Sequence, residues 1–368
     1  MRLRQIPSTA IIAATLAVVA LLSSGCATQS VPARLHYGLT DAPEGKRLMW
    51  PAEPEVPRYQ FAGQLTGEAN FVRDEETTSG VVRFLAWVVG LFEEEKPNVL
   101  ERPQAVVADS QERIFVTDVS RAAVFVFDKP AGELKIWEYA VGLRRFLAPI
   151  GVTLAEGGGI WVSDAELQLV AHLDAQGNPL PPIGTGVLQR PTGITRDPAT
   201  GLIYVADTYA HDIKVFSPDG RLERIIGERG EAPGEFNFPT HLALGQGKLY
   251  VTDTMNSRVQ VIPLEGDEKP QVIGKRGLYY GNLVRPKGVG VDSENNIYVV
   301  ESYYDNLLIF NEAGDFLMPI GGVGQGSGNF YLPGGVWVDS FNRVFVADTF
   351  NGRVTIFQYL GGAKSDAE

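Results

Sequence analysis

The chain has 368 residues, with 32 basic and 44 acidic side chains and a formal net charge of −12. That balance argues against a nucleic-acid backbone as partner, because phosphate binding rewards clustered Lys and Arg. The 41 glycines and 23 prolines, without a collagen period, predict many tight turns, and the single cysteine excludes a disulfide framework.

At the N-terminus, Arg2 and Arg4 precede an uncharged, almost wholly apolar run from Ala10 to Leu22, ending in Leu22-Ser23-Ser24-Gly25-Cys26. The run is short for a membrane-spanning helix, which needs about 20 apolar residues. It resembles a bacterial lipoprotein signal, although the apolar residue usual three places before the cysteine is Ser23 here, with leucine one place earlier. The resemblance implies removal of residues 1–25 and lipidation of Cys26. An ordinary signal peptide with a leftover cysteine is the alternative. Ala27, in a position where aspartate often retains such proteins at the inner membrane, favours the outer membrane of a bacterial cell envelope, with its periplasmic or external face open. Residues 26–57, rich in proline and without strand periodicity, are expected to form a tether.

Residues 58–65 contain Tyr59-Gln-Phe-Ala-Gly63, an isolated strand phrase. Beyond it, residues 78–95 differ in texture. Val81, Val82, Phe84, Leu85, Trp87, Val88, Leu91 and Phe92 make one apolar stretch in which Arg83 is the sole charge, followed by Glu93, Glu94 and Glu95. A short inserted helix is expected. A helix apolar nearly all round must be covered, by its own domain, by a partner protein or by a membrane interface.

From residue 103 onward one module recurs. Its first phrase is a proline leading a small apolar strand, at Pro103, Pro149, Pro191, Pro239, Pro286 and Pro333, spaced by 42 to 48 residues. A second strand follows and ends in an acid each time, at Asp118, Asp164, Asp207, Asp253, Glu301 and Asp348. A third strand comes at a constant offset, and a fourth leads into a glycine. Six copies of four strands with this period predict a six-bladed, all-β propeller. Each sheet is apolar on both faces, and a ring gives it a neighbour on each. The last copy stops after its third strand, so residues 58–65 are expected to complete the last blade and close the ring. Residues 361–368 form a polar tail.

The phrases Tyr204-Val-Ala-Asp207-Thr208, Asp253-Thr-Met-Asn-Ser-Arg258 and Asp348-Thr-Phe-Asn-Gly-Arg353 resemble NHL repeats across roughly residues 100–360. That resemblance implies a propeller used mostly as a binding platform, with a minority of enzymes. The repeated Asp, Thr, Asn and Arg are expected to be structural. One branch of the resemblance, the peptidyl-amide lyases, carries zinc on three histidines. Here only His241, two residues after Pro239, belongs to an innermost strand, while His36, His172 and His211 lie elsewhere. No metal site, cofactor or catalytic residue is therefore expected.

The remaining signal is the position two residues beyond each second-strand acid. It is Tyr209, Met255, Tyr303 and Phe350 in blades three to six, with Tyr304 beside Tyr303. These residues are a candidate binding surface on one rim, and His241 is a candidate tunnel residue. The expectation is a non-enzymatic, membrane-anchored platform for an envelope protein partner. The alternatives are a metal-dependent, lactonase-like hydrolase or lyase at the tunnel mouth, and a sensor of small molecules or cell-wall fragments.

Overall fold

A computed structural model describes residues 33–37, 48–72, 97–266 and 268–361. Cys26 and the helix expected over 78–95 lie outside the described residues. Among the described residues, helical turns are limited to short 3₁₀ segments such as Thr254–Asn256 and Thr349–Asn351. None is long and apolar enough to cross a membrane.

Six antiparallel sheets follow one another along the chain, each wound from an innermost first strand to an outermost fourth. Blade three is typical: Pro191–Arg196, Ile203–Asp207, Asp212–Phe216 and Leu222–Ile226 pair in sequence order. In blade six the inner strand is short, Val336–Val338, and is followed by Arg343–Asp348 and Arg353–Tyr359. The fourth place is taken by Tyr59–Leu65, which pairs Val354 with Leu65 and Tyr359 with Tyr59. The ring closes as the sequence predicts, with the N-terminal strand outermost on the last blade.

The segment expected as a plain tether does more. Met49–Trp50 adds a fifth strand to the closing blade, and the Trp50 ring meets Phe357 edge-on at 5.4 Å. Arg34–Leu35 pairs with Phe71–Val72, and a Cβ on Gly63 would collide with Tyr37. Aromatic and apolar residues at 35, 37 and 50 supply the packing that the proline content concealed.

Period-two alternation explains the core. On Arg113–Asp118, Phe115 faces blade two while Ile114 and Val116 face blade six. Every blade repeats this arrangement, giving six apolar clusters, one between each pair of neighbours. Each buried Phe, Leu, Ile or Val contributes about 1.5–3 kcal/mol relative to exposure.

The repeated polar phrases connect the blades. The threonine after the acid donates to the carbonyl of the proline that opens the next blade: Thr208 to Pro239 at 2.8 Å, Thr254 to Pro286 at 2.9 Å, Thr349 to Pro103 at 2.8 Å. In blade one the residue before the acid serves instead, with Thr117 donating to Ile150 at 2.7 Å. The six acids are buried and accept backbone N–H groups from the loop that enters their own blade, as Asp253 does from Asn237 at 2.6 Å. In blades four and six an arginine completes the joint. Arg258 pairs with Asp253 at 2.7 Å and donates to the carbonyls of Glu231, Ala232 and Glu235. Arg353 pairs with Asp348 at 2.8 Å and donates to those of Gln325, Gly326 and Asn329. Charge-assisted bonds of this kind pin the inter-blade loop to the rim.

Candidate functional site at the mouth of the central tunnel

In blades one to five the first strand pairs its opening proline with the acid ending the second strand, as Pro239 does with Asp253. The start of the inner strands and the loops after the acids therefore lie at one end of the ring. This end carries both His241 and the aromatic rim.

The axis is a narrow tunnel of about 120 Å³, lined by equivalent stretches of all six inner strands. Two residues after the opening proline stand Ala105, Gly151, Gly193, His241, Gly288 and Gly335. The glycines have a steric reason: a Cβ on Gly193 would lie 2.6 Å from the His241 Cα, and one on Gly335 would lie 2.6 Å from the Gln104 carbonyl oxygen. Inner strands approach too closely for side chains at most blades, so His241 is a departure from the repeat and not an instance of it.

The hydrogen bonds around His241 fix its tautomer. The Thr254 hydroxyl has one proton, and it is given to the Pro286 carbonyl. The Thr240 hydroxyl, 2.6 Å from that of Thr254, must then donate to it. Its oxygen is left to accept from the ring, so the His241 Nδ1 at 3.1 Å carries the proton and Nε2 the lone pair. Burial within the tunnel wall, reinforced by the charge of Lys287, lowers the pKa of this ring to about 3. The imidazole is neutral at ordinary pH. Burial also pulls the Lys287 ammonium below the usual lysine range, with Arg285 adding to the effect. Lys287 follows Pro286 directly, where the other blades carry Gln104, Ile150, Thr192, Thr240 and Gly334. It is the only charge among these six places, a signal present in the sequence beside that of His241.

Around the mouth, Tyr209, Met255, Tyr303 and Phe350 are 54%, 55%, 55% and 47% exposed. Each is half exposed, and Tyr209 and Phe350 also meet the Phe238 and Tyr331 rings edge-on at 6.2 and 5.6 Å. Arg190 lies over the Tyr209 ring and Arg102 over the Phe350 ring, both at 5.1 Å, and Tyr304 meets Tyr303 edge-on at 4.9 Å. The other histidines take no part at the tunnel. His172 stacks on Trp161 at 3.7 Å, the His211 Nδ1 accepts from the Phe238 N–H at 3.2 Å, and the His36 backbone bonds to Asn70. Among the described residues no three His, Cys, Asp or Glu come together as a metal site.

A family described as a 6-bladed beta-propeller matches residues 197–268 and 288–363. The chain is 33% identical over 142 residues to peptidyl-glycine alpha-amidating monooxygenase A of Xenopus laevis, a match covering 34% of this chain and 15% of that protein. It is 35% identical over 96 residues to human NHL repeat-containing protein 2, covering 22% of this chain and 13% of that one. These matches therefore span only a small part of the relatives' length. Among solved structures, a streptogramin B lyase superposes with a TM-score of 0.53 at 13% identity, over 71% of this chain and 94% of that one. At that identity the likeness is one of fold. The expectation of a non-enzymatic platform is corrected to this extent: lyases are built on this same ring, so the fold does not favour a scaffold over an enzyme. The chain is a six-bladed β-propeller related to NHL-repeat proteins.

Proposed function

We propose that the protein is a lyase-type enzyme that acts at the mouth of its central tunnel, with His241 as general base and Lys287 as the charge that stabilises the developing anion. The observation that supports this most is the pairing of a neutral, tautomer-fixed imidazole with an ammonium, at inner-strand places where most other blades carry uncharged or small residues. A base must be unprotonated and oriented before it can act. The relay from His241 through Thr240 and Thr254 to Pro286 provides the orientation.

In an elimination, Nε2 of His241 takes the proton from a carbon next to a substrate carbonyl. The released electron pair forms the double bond as the bond from the neighbouring carbon to an oxygen leaving group breaks. Negative charge gathers on the carbonyl oxygen meanwhile, and the Lys287 ammonium, whose charge is felt by the His241 ring, stabilises it. A ring with so low a pKa is a weak base when the tunnel is empty. An anionic or enolate-forming substrate offsets the Lys287 charge and raises the basicity of His241 when it is needed. The tunnel admits only a small group, so the body of the substrate lies over the mouth, where Tyr209, Met255, Tyr303, Tyr304 and Phe350 provide apolar contact.

The test is turnover of cyclic depsipeptides and acyl esters by the full chain beside its His241→Ala and Lys287→Met variants. Loss of a general base costs about 10²–10⁴-fold in rate. Equal rates for parent and variants would remove the assignment.

A further inference from the structure

Blade five breaks the pattern of its neighbours. The loops entering blades four, five and six have one length and one geometry, with bridges Arg229 to Phe236, Arg276 to Leu283 and Val323 to Phe330. The same turn recurs in each, with the Glu235 N–H donating to Ala232, that of Asn282 to Tyr279 and that of Asn329 to Gly326. In blades four and six this loop wraps a guanidinium held by three of its carbonyls and by the blade's acid. The three corresponding carbonyls in blade five belong to Leu278, Tyr279 and Asn282.

The arginine itself is missing. Asn306 stands in the register place of Arg258 and Arg353, paired with Glu301 as they are with Asp253 and Asp348. The asparagine that bonds the acid in those blades, Asn256 or Asn351, is replaced by Tyr304. Glu301 is buried and accepts only backbone N–H groups, from Val284, Arg285 and Tyr303. Among the described residues no Lys or Arg forms a salt bridge with it, and Asn306 beside it is buried. In place of the guanidinium is an open pocket of about 500 Å³, walled by Tyr279, Tyr280, Tyr304, Leu278 and Leu308, with Glu301 and Asn306 in its lining.

We infer that this pocket is a receptor for a guanidinium group supplied by a ligand, an arginine side chain or its chemical equivalent. The inference is independent of the chemistry proposed at the tunnel. The protein contains two copies of the bound state, because Arg258 and Arg353 occupy the equivalent space in blades four and six. The carboxylate provides the counter-charge, the loop carbonyls accept the N–H fork, and the tyrosine faces suit a planar cation. An ammonium fits less well, since it cannot bridge the carboxylate and the separated carbonyls in one plane.

The test is calorimetric titration of the full chain with acetyl-arginine amide, acetyl-lysine amide and acetyl-citrulline amide. The arginine probe is expected to saturate in the millimolar range or tighter, with the lysine and citrulline probes at least about tenfold weaker. The Asn306→Arg variant should refill the pocket from within, abolish binding and raise Tm by about 2–4 °C. Equal affinity for arginine and citrulline, equal affinity for arginine and lysine, no binding of any probe, or undiminished binding to a folded Asn306→Arg variant would each overturn the inference.

Discussion

The Thr349 hydroxyl donates to the Pro103 carbonyl at 2.8 Å across 246 residues of sequence. Thr208 and Thr254 make the same contact between blades that adjoin in the chain. The seam between last and first blade is therefore built like the internal joints, and the closing strand belongs to the blade-six sheet that forms it, with Leu65 in the same apolar cluster. Replacing Thr349 with valine leaves a buried carbonyl without its donor, which costs about 1–3 kcal/mol. Urea unfolding should show the midpoint falling with an unchanged slope. Thr208→Val should cost a similar amount, and a far smaller effect at Thr349 would mean that the seam carries little of the ring's stability.

The closing strand makes a stronger prediction. Phe61 is buried between blades five and six and meets the Phe357 ring edge-on at 5.9 Å. Phe61→Ala should destabilise by about 3–5 kcal/mol. Deleting residues 58–65 should remove the folded state in one transition, because an open ring leaves two blades without a covered face. Two separate transitions by circular dichroism would show that the blades unfold independently.

The depressed pKa of His241 has a signed consequence for stability. In the folded protein the ring titrates at about 3, whereas an unfolded histidine titrates at its ordinary 6.5. Between those values the unfolded chain holds the proton and the folded one does not. The contribution is complete above pH 6.5 and is lost as the pH falls toward 3. His241→Gln should therefore flatten the dependence of unfolding free energy on pH in this window, by up to about one proton's worth of slope. Parallel profiles for parent and variant would show that the ring is not desolvated.

The rim separates binding from folding. With Tyr209, Met255, Tyr303 and Phe350 about half exposed, changing all four to serine should alter stability little, since surface changes usually fall within about 0.5 kcal/mol each. KM for a tunnel-mouth substrate should rise at least about tenfold while kcat changes less. A collapse in Tm would instead show that the rings cap their blades.

Much of the architecture was legible because its cause is periodic. The opening proline, the second-strand acid and the unfinished last copy each repeat or fail to repeat at fixed spacing, so the six sheets and the strand at 59–65 follow from counting. Met49–Trp50 was hidden because two residues hold no period, and its place depends on the Phe357 surface that forms only when the ring closes. His241 was found because a histidine stands out among small residues. Lys287 was missed because a lysine beside a proline reads as an exposed loop charge, whereas in the fold burial pulls its ammonium below the usual lysine range. The blade-five pocket was invisible for another reason: it is an absence, the arginine that Asn306 replaces, and it takes shape only against the folded loops of blades four and six.

The most direct test of the tunnel-mouth chemistry is mass spectrometry of a cyclic ester substrate incubated with the full chain and with His241→Ala. Elimination opens the ring without adding atoms, so the product should keep the substrate's mass, gain a carbon–carbon double bond and form about 10²–10⁴-fold more slowly with the variant. A product heavier by one water, or opening at the same rate with His241→Ala, would contradict the account.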